Sequence, residues 1–127
     1  MSRFDIYTAR VHYIDEPNSK PRPIIQIKSD KNAPNSFAMI SGTHKKKYPG
    51  DVDIEFWKEA GLKKPSRVRL GERVDLPECC KTAKPVGKLL LEDAKNVHLE
   101  YLKPHKIQKH FAEEIDDEFT MNSMLED

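Results

Sequence analysis

With 127 residues, 37% of them hydrophobic and 34% charged, the chain is long enough for one domain with a modest core and too short for two ordinary ones. No apolar run approaches the roughly 20 residues that a bilayer span needs, and the opening MSRFDIYTAR has no hydrophobic stretch of signal-peptide type, so no membrane partner is expected and the cytoplasm is the expected location. The formal net charge of +1 hides an uneven split: residues 1–102 hold 19 Lys and Arg against 14 Asp and Glu, whereas residues 103–127 hold 3 against 7, which suggests a polyanion partner for the body.

The first segment, from Asp5 to Tyr13, alternates, with Tyr7, Ala9, Val11 and Tyr13 on one face and Ile6, Thr8, Arg10 and His12 on the other; this predicts a half-buried strand. DEPNSKPRP reads as a loop, because its three prolines fix φ and supply no N–H. Strands are predicted over IIQIK (Ile24 to Lys28), FAMIS (Phe37 to Ser41), VDIEF (Val52 to Phe56), SRVRL (Ser66 to Leu70) and VGKLL (Val86 to Leu90). SDKNAPNS and GTHKKKYPGD read as the loops between them, and WKEAGL as one helical turn ended by Gly61.

Many short strands with long loops favour a small closed or nearly closed barrel over a parallel sheet. One helix is expected from about Glu92, where Ala94, Val97, Tyr101 and Leu102 share a face and Glu92 and Asp93 suit the positive end of the helix dipole. Beyond Pro104 the composition turns from basic (HKIQKHF) to acidic (AEEIDDEFTMNSMLED), and we read residues 104–127 as an appended tail, disordered alone or held by a partner, behind a domain of residues 1–103. Its seven acids and its apolar Phe111, Ile115, Phe119, Met121 and Leu125 suggest a segment that could cover a basic groove.

Cys79 and Cys80 are adjacent, a spacing that suits neither a bridge between them nor a zinc site, so they read as reduced thiols. The histidines and paired carboxylates show no spacing that would hold a catalytic ion, and no metal or cofactor is expected. Arg22 lies between two prolines that direct it from the edge of a strand, and a planar guanidinium suits two phosphate oxygens at once. The run His44-Lys45-Lys46-Lys47 places a proton-transfer group beside three cations; such runs are as often solvated loops as they are guides for a nucleic-acid backbone. Tyr13, Phe37, Tyr48 and Trp57 could stack on unpaired bases, although burial in the core is the commoner fate of such side chains.

Taken in order, FDIYTARVHY, IDEPNS, KPRPIIQI, FAMISGT, YPGDVDIEF, GLKKPSRVRL and VGKLLLEDAKNVHLEYL resemble the successive motifs of the MazF/PemK toxins of type II toxin–antitoxin systems over about residues 3–102. Phe4 stands where that family usually has glycine, Ser41 where it has its catalytic threonine, and Leu91 where a Ser or Thr would cap the helix.

The resemblance implies a mainly β, Src-homology-3-like plasmid-maintenance-toxin barrel with a C-terminal helix. The implied activity is that of a metal-independent endoribonuclease (mRNA interferase) that cuts single-stranded RNA by attack of the 2′-OH. It further implies a homodimer with a shared RNA groove and a cognate antitoxin that fills the groove. Carried over position by position, Arg22 and Ser41 become the catalytic residues. Lys20, Thr43, His44, Lys45, Lys46, Lys47, Asn18 and Asp15 become RNA-binding residues, with the loop of residues 14–21 lying over the groove. A non-catalytic barrel that binds nucleic acid or protein is the alternative, favoured by Ser41 and Phe4. A gyrase-poisoning toxin, which shares the barrel, would need a C-terminal helix signature that is not found here.

Overall fold

A computed structural model of the chain describes residues 3–12, 20–30, 33–75 and 84–115. The elements run β1 (Asp5–His12), β2 (Lys20–Asp30), β3 (Ala33–Gly42), β4 (Asp51–Asp53), β5 (Ser66–Asp75), β6 (Gly87–Lys88), α1 (Leu91–Tyr101) and β7 (Gln108–Ile115). Among the described residues the structure is mainly β, one curled sheet and one helix.

β1, β2, β3 and β5 form an antiparallel meander, and β7 lies between the two ends of that meander. It pairs in parallel with β5 through Glu72↔Gln108 to Asp75↔Phe111, and antiparallel with β1 through Ala9↔Ile115 and His12↔Phe111. The pairings β1–β2–β3–β5–β7–β1 therefore close on themselves, which leaves fewer open strand edges. The short strands occupy edge positions that β7 does not reach: β6 pairs with Asp5 and Ile6 of β1, and β4 with Arg67 to Arg69 of β5.

Alternation along the strands builds two apolar clusters on opposite faces of the sheet. On one face Ile6, Ile25, Ile27, Ala38, Ile40, Val68 and Leu70 meet Ala94 and Val97 of α1. On the other, Tyr7, Ala9, Val11, Ile24, Phe37, Met39 and Val74 pack strand on strand, with Tyr7 and Phe37 edge to face at 6.2 Å between ring centroids. Burial pushes the Tyr7 phenol up to about 12, and the nearby Asp5 carboxylate adds to the shift.

Several sequence expectations change here. β1 is buried on both faces rather than half-buried, since Ile6 and Thr8 are as covered as Tyr7 and Ala9. β2 and β3 run through much of the predicted loops DEPNSKPRP and SDKNAPNS, because cross-strand partners such as Thr8↔Pro23 and Lys28↔Ser36 hold those residues in the sheet, with register shifts near Lys28. Of VDIEF only Val52 and Asp53 are strand, in a β4 that begins at Asp51. The buried Asp93 carboxylate accepts the backbone N–H groups of Glu55 and Phe56, each at 2.9 Å, and draws the chain into a turn. VGKLL shrinks to Gly87–Lys88, where Gly87 passes so close to Ala60 that a Cβ would overlap the Ala60 carbonyl oxygen.

The helix lies where expected, but Leu102 is exposed rather than on its buried face, which consists of Asp93, Ala94 and Val97. Its N-cap is Leu90, with no side-chain hydrogen bond. Arg3 secures the helix instead: its Nε donates to the Ile27 carbonyl at 2.8 Å, a terminal nitrogen lies 2.7 Å from His98 Nδ1, and the guanidinium lies over the rings of Phe4 and Tyr101. Phe4 has φ of +69°, a left-handed conformation that costs a side-chain-bearing residue about 1–2 kcal/mol.

The segment read from sequence as the start of a tail contributes β7. Residues 108–115 belong to the sheet because the edges of β1 and β5 would otherwise stand open. Residues 116–127 lie outside the described set, as do Tyr13, Cys79 and Cys80. Deleting residues 104–127 removes β7, and the cooperative thermal transition of the full chain, followed by circular dichroism, is expected to be lost. A transition that survives within a few degrees would show that the sheet stands without this strand.

Candidate functional site

The two residues predicted to be catalytic stand just past the end of the β2–β3 pairing, which runs from Ile24↔Met39 to Asp30↔Ala33. Ile24 faces Met39, and Arg22 and Ser41 each stand two residues beyond that pair in the same direction, on the face of the strand-only cluster. On their outer sides Arg22 pairs with Ala9 and Ser41 pairs with Arg67, which in turn faces Asp53. Beyond the Ile24↔Met39 pair two short rows run separately, Ala9 with Arg22 on β1 and β2, and Ser41, Arg67 and Asp53 on β3, β5 and β4. The adjacent row reads Tyr7, Ile24, Met39, Arg69, Asp51. Arg22 is 7% exposed, while Ser41 is half-buried.

Arg67 and Arg69 are residues that the sequence reading passed over as strand, and they organise the site. Arg69 donates to the Asp51 carboxylate at 2.9 Å, to the Lys46 carbonyl at 3.0 Å and to the Ser41 hydroxyl at 3.4 Å, and its Nε lies 3.8 Å from Glu72. Arg67 donates to the carbonyls of Thr43 and Lys45 at 3.2 and 3.4 Å, and its Nε lies 3.0 Å from Asp53. Both arginines are buried. The signal was present in Ser-Arg-Val-Arg-Leu: arginines two apart on a strand share a face, opposite Val68 and Leu70.

These two forks hold the backbone of the basic loop by its carbonyl oxygens, so the loop is shaped while its side chains stay outside. His44, Lys45, Lys46 and Lys47 are all exposed. The His44 ring lies against Gly42, in the space a Cβ would need. Thr43 is half-buried, and its N–H donates to the Pro65 carbonyl. Lys47 lies 3.6 Å from Asp53, an exposed pair worth little in water. Lys46 and Arg69 each stand 5.3 Å from the Tyr48 ring centroid.

The other predicted site residues lie wholly or in their side chains outside the described set. Lys20 begins β2 opposite Val11, but its side chain lies outside the described set, as do Asp15 and Asn18 entirely and the side chain of His12. Of the aromatic candidates, Phe37 is core, Trp57 packs against the core, and Tyr48 is 52% exposed. Among the described residues no three His, Cys, Asp or Glu side chains converge as metal ligands would, and no helix is long and apolar enough to cross a membrane.

Beside the basic loop opens a cavity of about 660 Å³, lined by Tyr48, Pro49 and Asp51, by Arg69, Gly71 and Glu72 of β5, and by residues 104–108. It exists because β5 bulges: Arg69 and Arg73 face the adjacent residues Met39 and Ala38, and the extra residues between them carry the strand from β4 toward β7. Gly71 sits in the bulge, where the Lys106 carbonyl oxygen would lie 3.2 Å from a Cβ.

Arg69→Ala should leave Asp51 buried without its cation, at a cost of about 3–5 kcal/mol in urea unfolding. It should also release the loop, so that trypsin cuts after Lys45 to Lys47 much faster than in the wild type. Unchanged proteolysis would show that the loop holds its shape without the fork. No protein-family model matches the chain, and no curated protein is similar to it.

Proposed function

We propose that the protein is an RNA-cutting toxin of the MazF/PemK kind, a metal-independent endoribonuclease acting on single-stranded RNA as a homodimer and silenced by an antitoxin. The observation that carries this reading is the pair Ser41 and Arg67, whose arginine holds a loop that presents four consecutive exposed His and Lys side chains, with Arg22 on the same face of the sheet. Two further features support it. The meander closed by a last strand is compatible with a Src-homology-3-like barrel. The position where the resemblance expects glycine has the positive φ that glycine favours.

In the proposed reaction the 2′-oxygen bonds to the adjacent phosphorus, the bond from phosphorus to the 5′-oxygen breaks, and a proton passes from the 2′-OH to a base while another reaches the leaving oxygen. Arg22 neutralises charge on the phosphate, Ser41 donates a hydrogen bond to it, and His44 moves a proton. The lysines hold the flanking phosphates.

Cleavage is expected in the presence of EDTA, leaving a 2′,3′-cyclic phosphate and a 5′-hydroxyl. Arg22→Ala should lower the rate on the order of 10²–10³, as removal of a preorganised charge donor does. Ser41→Thr should retain activity. End-group analysis of a cut oligonucleotide, with folding of each variant checked by circular dichroism, decides the matter; cutting by Arg22→Ala at the wild-type rate would refute the assignment. Binding by the same surface without catalysis is the second reading. It is favoured by the burial of Arg22 and by the hydrogen bond that Ser41 accepts from Arg69, and salt-sensitive binding without cleavage would establish it.

For the homodimer, the outer face of α1 carries Leu91, Leu99 and Leu102, exposed by 75%, 60% and 66%. A stripe of that kind is the sort of surface a second copy covers. Leu99→Glu should convert a dimer to a monomer in analytical ultracentrifugation; a dimer that persists would place the interface elsewhere.

A further inference from the structure

The cavity beside the basic loop takes no part in the cleavage chemistry proposed above, and we infer that it is a pocket for one unpaired nucleobase of the bound RNA strand, with Tyr48 as its stacking platform. The inference rests on the reading that the protein binds single-stranded RNA, and it adds a specific subsite to that reading. Its volume of about 660 Å³ falls within the range of small-ligand pockets and is ample for a nucleotide.

The walls suit a base. Tyr48 supplies a ring that is 52% exposed, and Pro49 and the half-exposed Ile107 supply apolar surface on either side. Glu72 and Gln108 add a carboxylate and an amide to the lining, which can pair with the donors and acceptors of a base edge. Stacking on an aromatic side chain holds any unpaired base, since every base has a π-face.

Charge places the strand that carries the base. Tyr48 follows Lys47 directly, so a nucleotide whose base enters the pocket has its phosphates beside the exposed Lys45, Lys46 and Lys47. Two cations, Lys46 and Arg69, stand 5.3 Å from the Tyr48 centroid, which helps fix the ring. Tyr48 is also held from the main chain: its N–H donates to the Asp51 carboxylate at 2.9 Å, and its carbonyl accepts the Asp51 N–H at 3.0 Å. The platform is therefore anchored by its backbone while its side chain contributes ring surface, so replacing the side chain should leave the turn intact.

The test uses the full chain and a mixed-sequence RNA oligonucleotide, 2′-O-methylated at every position so that it cannot be cut, with 2-aminopurine at one position in turn. For the wild type we expect binding, with the fluorophore quenched at one position of the register. Tyr48→Ala should weaken binding on the order of 10-fold and abolish that quenching, whereas Tyr48→Phe and Tyr48→Trp should preserve both. Ile107→Glu, at an exposed site on the opposite wall, should reproduce the loss without touching the loop. If the wild type binds and Tyr48→Ala matches it in affinity and quenching, the pocket assignment is overturned and the RNA reading stands. If the wild type binds no single-stranded RNA, both fall.

Discussion

The Arg69 guanidinium is buried among partners from four segments: Ser41 of β3, Asp51 of β4, the carbonyl of Lys46 in the basic loop and, more distantly, Glu72 in the bulge of β5. A charge in that position is tolerable only because its donors are matched, and the matching fixes where each segment can lie. The short pairing of β4 with β5, the path of residues 43–48 and the opening of the cavity all follow from it. Arg67 repeats the device one row along, holding the carbonyls of Thr43 and Lys45. Exposed lysines thereby stand on a backbone that buried arginines have shaped, which separates the cations that hold the loop from those available to a polyanion.

The balance of forces differs between the two faces of the sheet. The helix-covered face is held by burial of Ile, Val, Leu and Ala, and its polar contribution is Asp93, which receives two backbone N–H groups at the turn after β4. The opposite face is apolar around Tyr7, Ile24 and Met39 and becomes polar toward Arg22, Ser41 and Arg67. A site at the margin of a packed cluster gains rigidity from the cluster and keeps access to solvent at its edge. Ser41, half-buried beside Arg67, stands on that margin.

Much of this was legible in the residues. The period-two runs identified the strands, and the 3.6-residue period together with the acids at its start identified α1. Arg22, Ser41 and the basic loop were named as site residues through the resemblance, and the pairing of β2 with β3 ends two residues short of the first two. What could not be read depended on partners distant in sequence. Prolines in KPRP argue against a strand, yet β1 pairs alongside them. IQKHFAEEI lacks strict alternation, and becomes a strand because two edges stand ready for it. VDIEF ends early because of a carboxylate 38 residues further on from Glu55. Arg67 and Arg69 were visible as a pair on one face, but their partners lie in a loop whose path they themselves determine.

The closing strand also orders events in time. β7 pairs with β1 across about a hundred positions of chain, so the loop-closure entropy of that contact is among the largest in the fold, and little of it is recovered until the meander exists. During synthesis, β1, β2, β3 and β5 emerge with two edges bare, and the last strand arrives to cover both at once. Anything that binds one of those edges first, another nascent copy or a chaperone, competes with β7 for the same hydrogen bonds. Completion of the sheet thus waits for residues 108–115, and the buried arginines come to rest in a finished enclosure only when translation has passed residue 115.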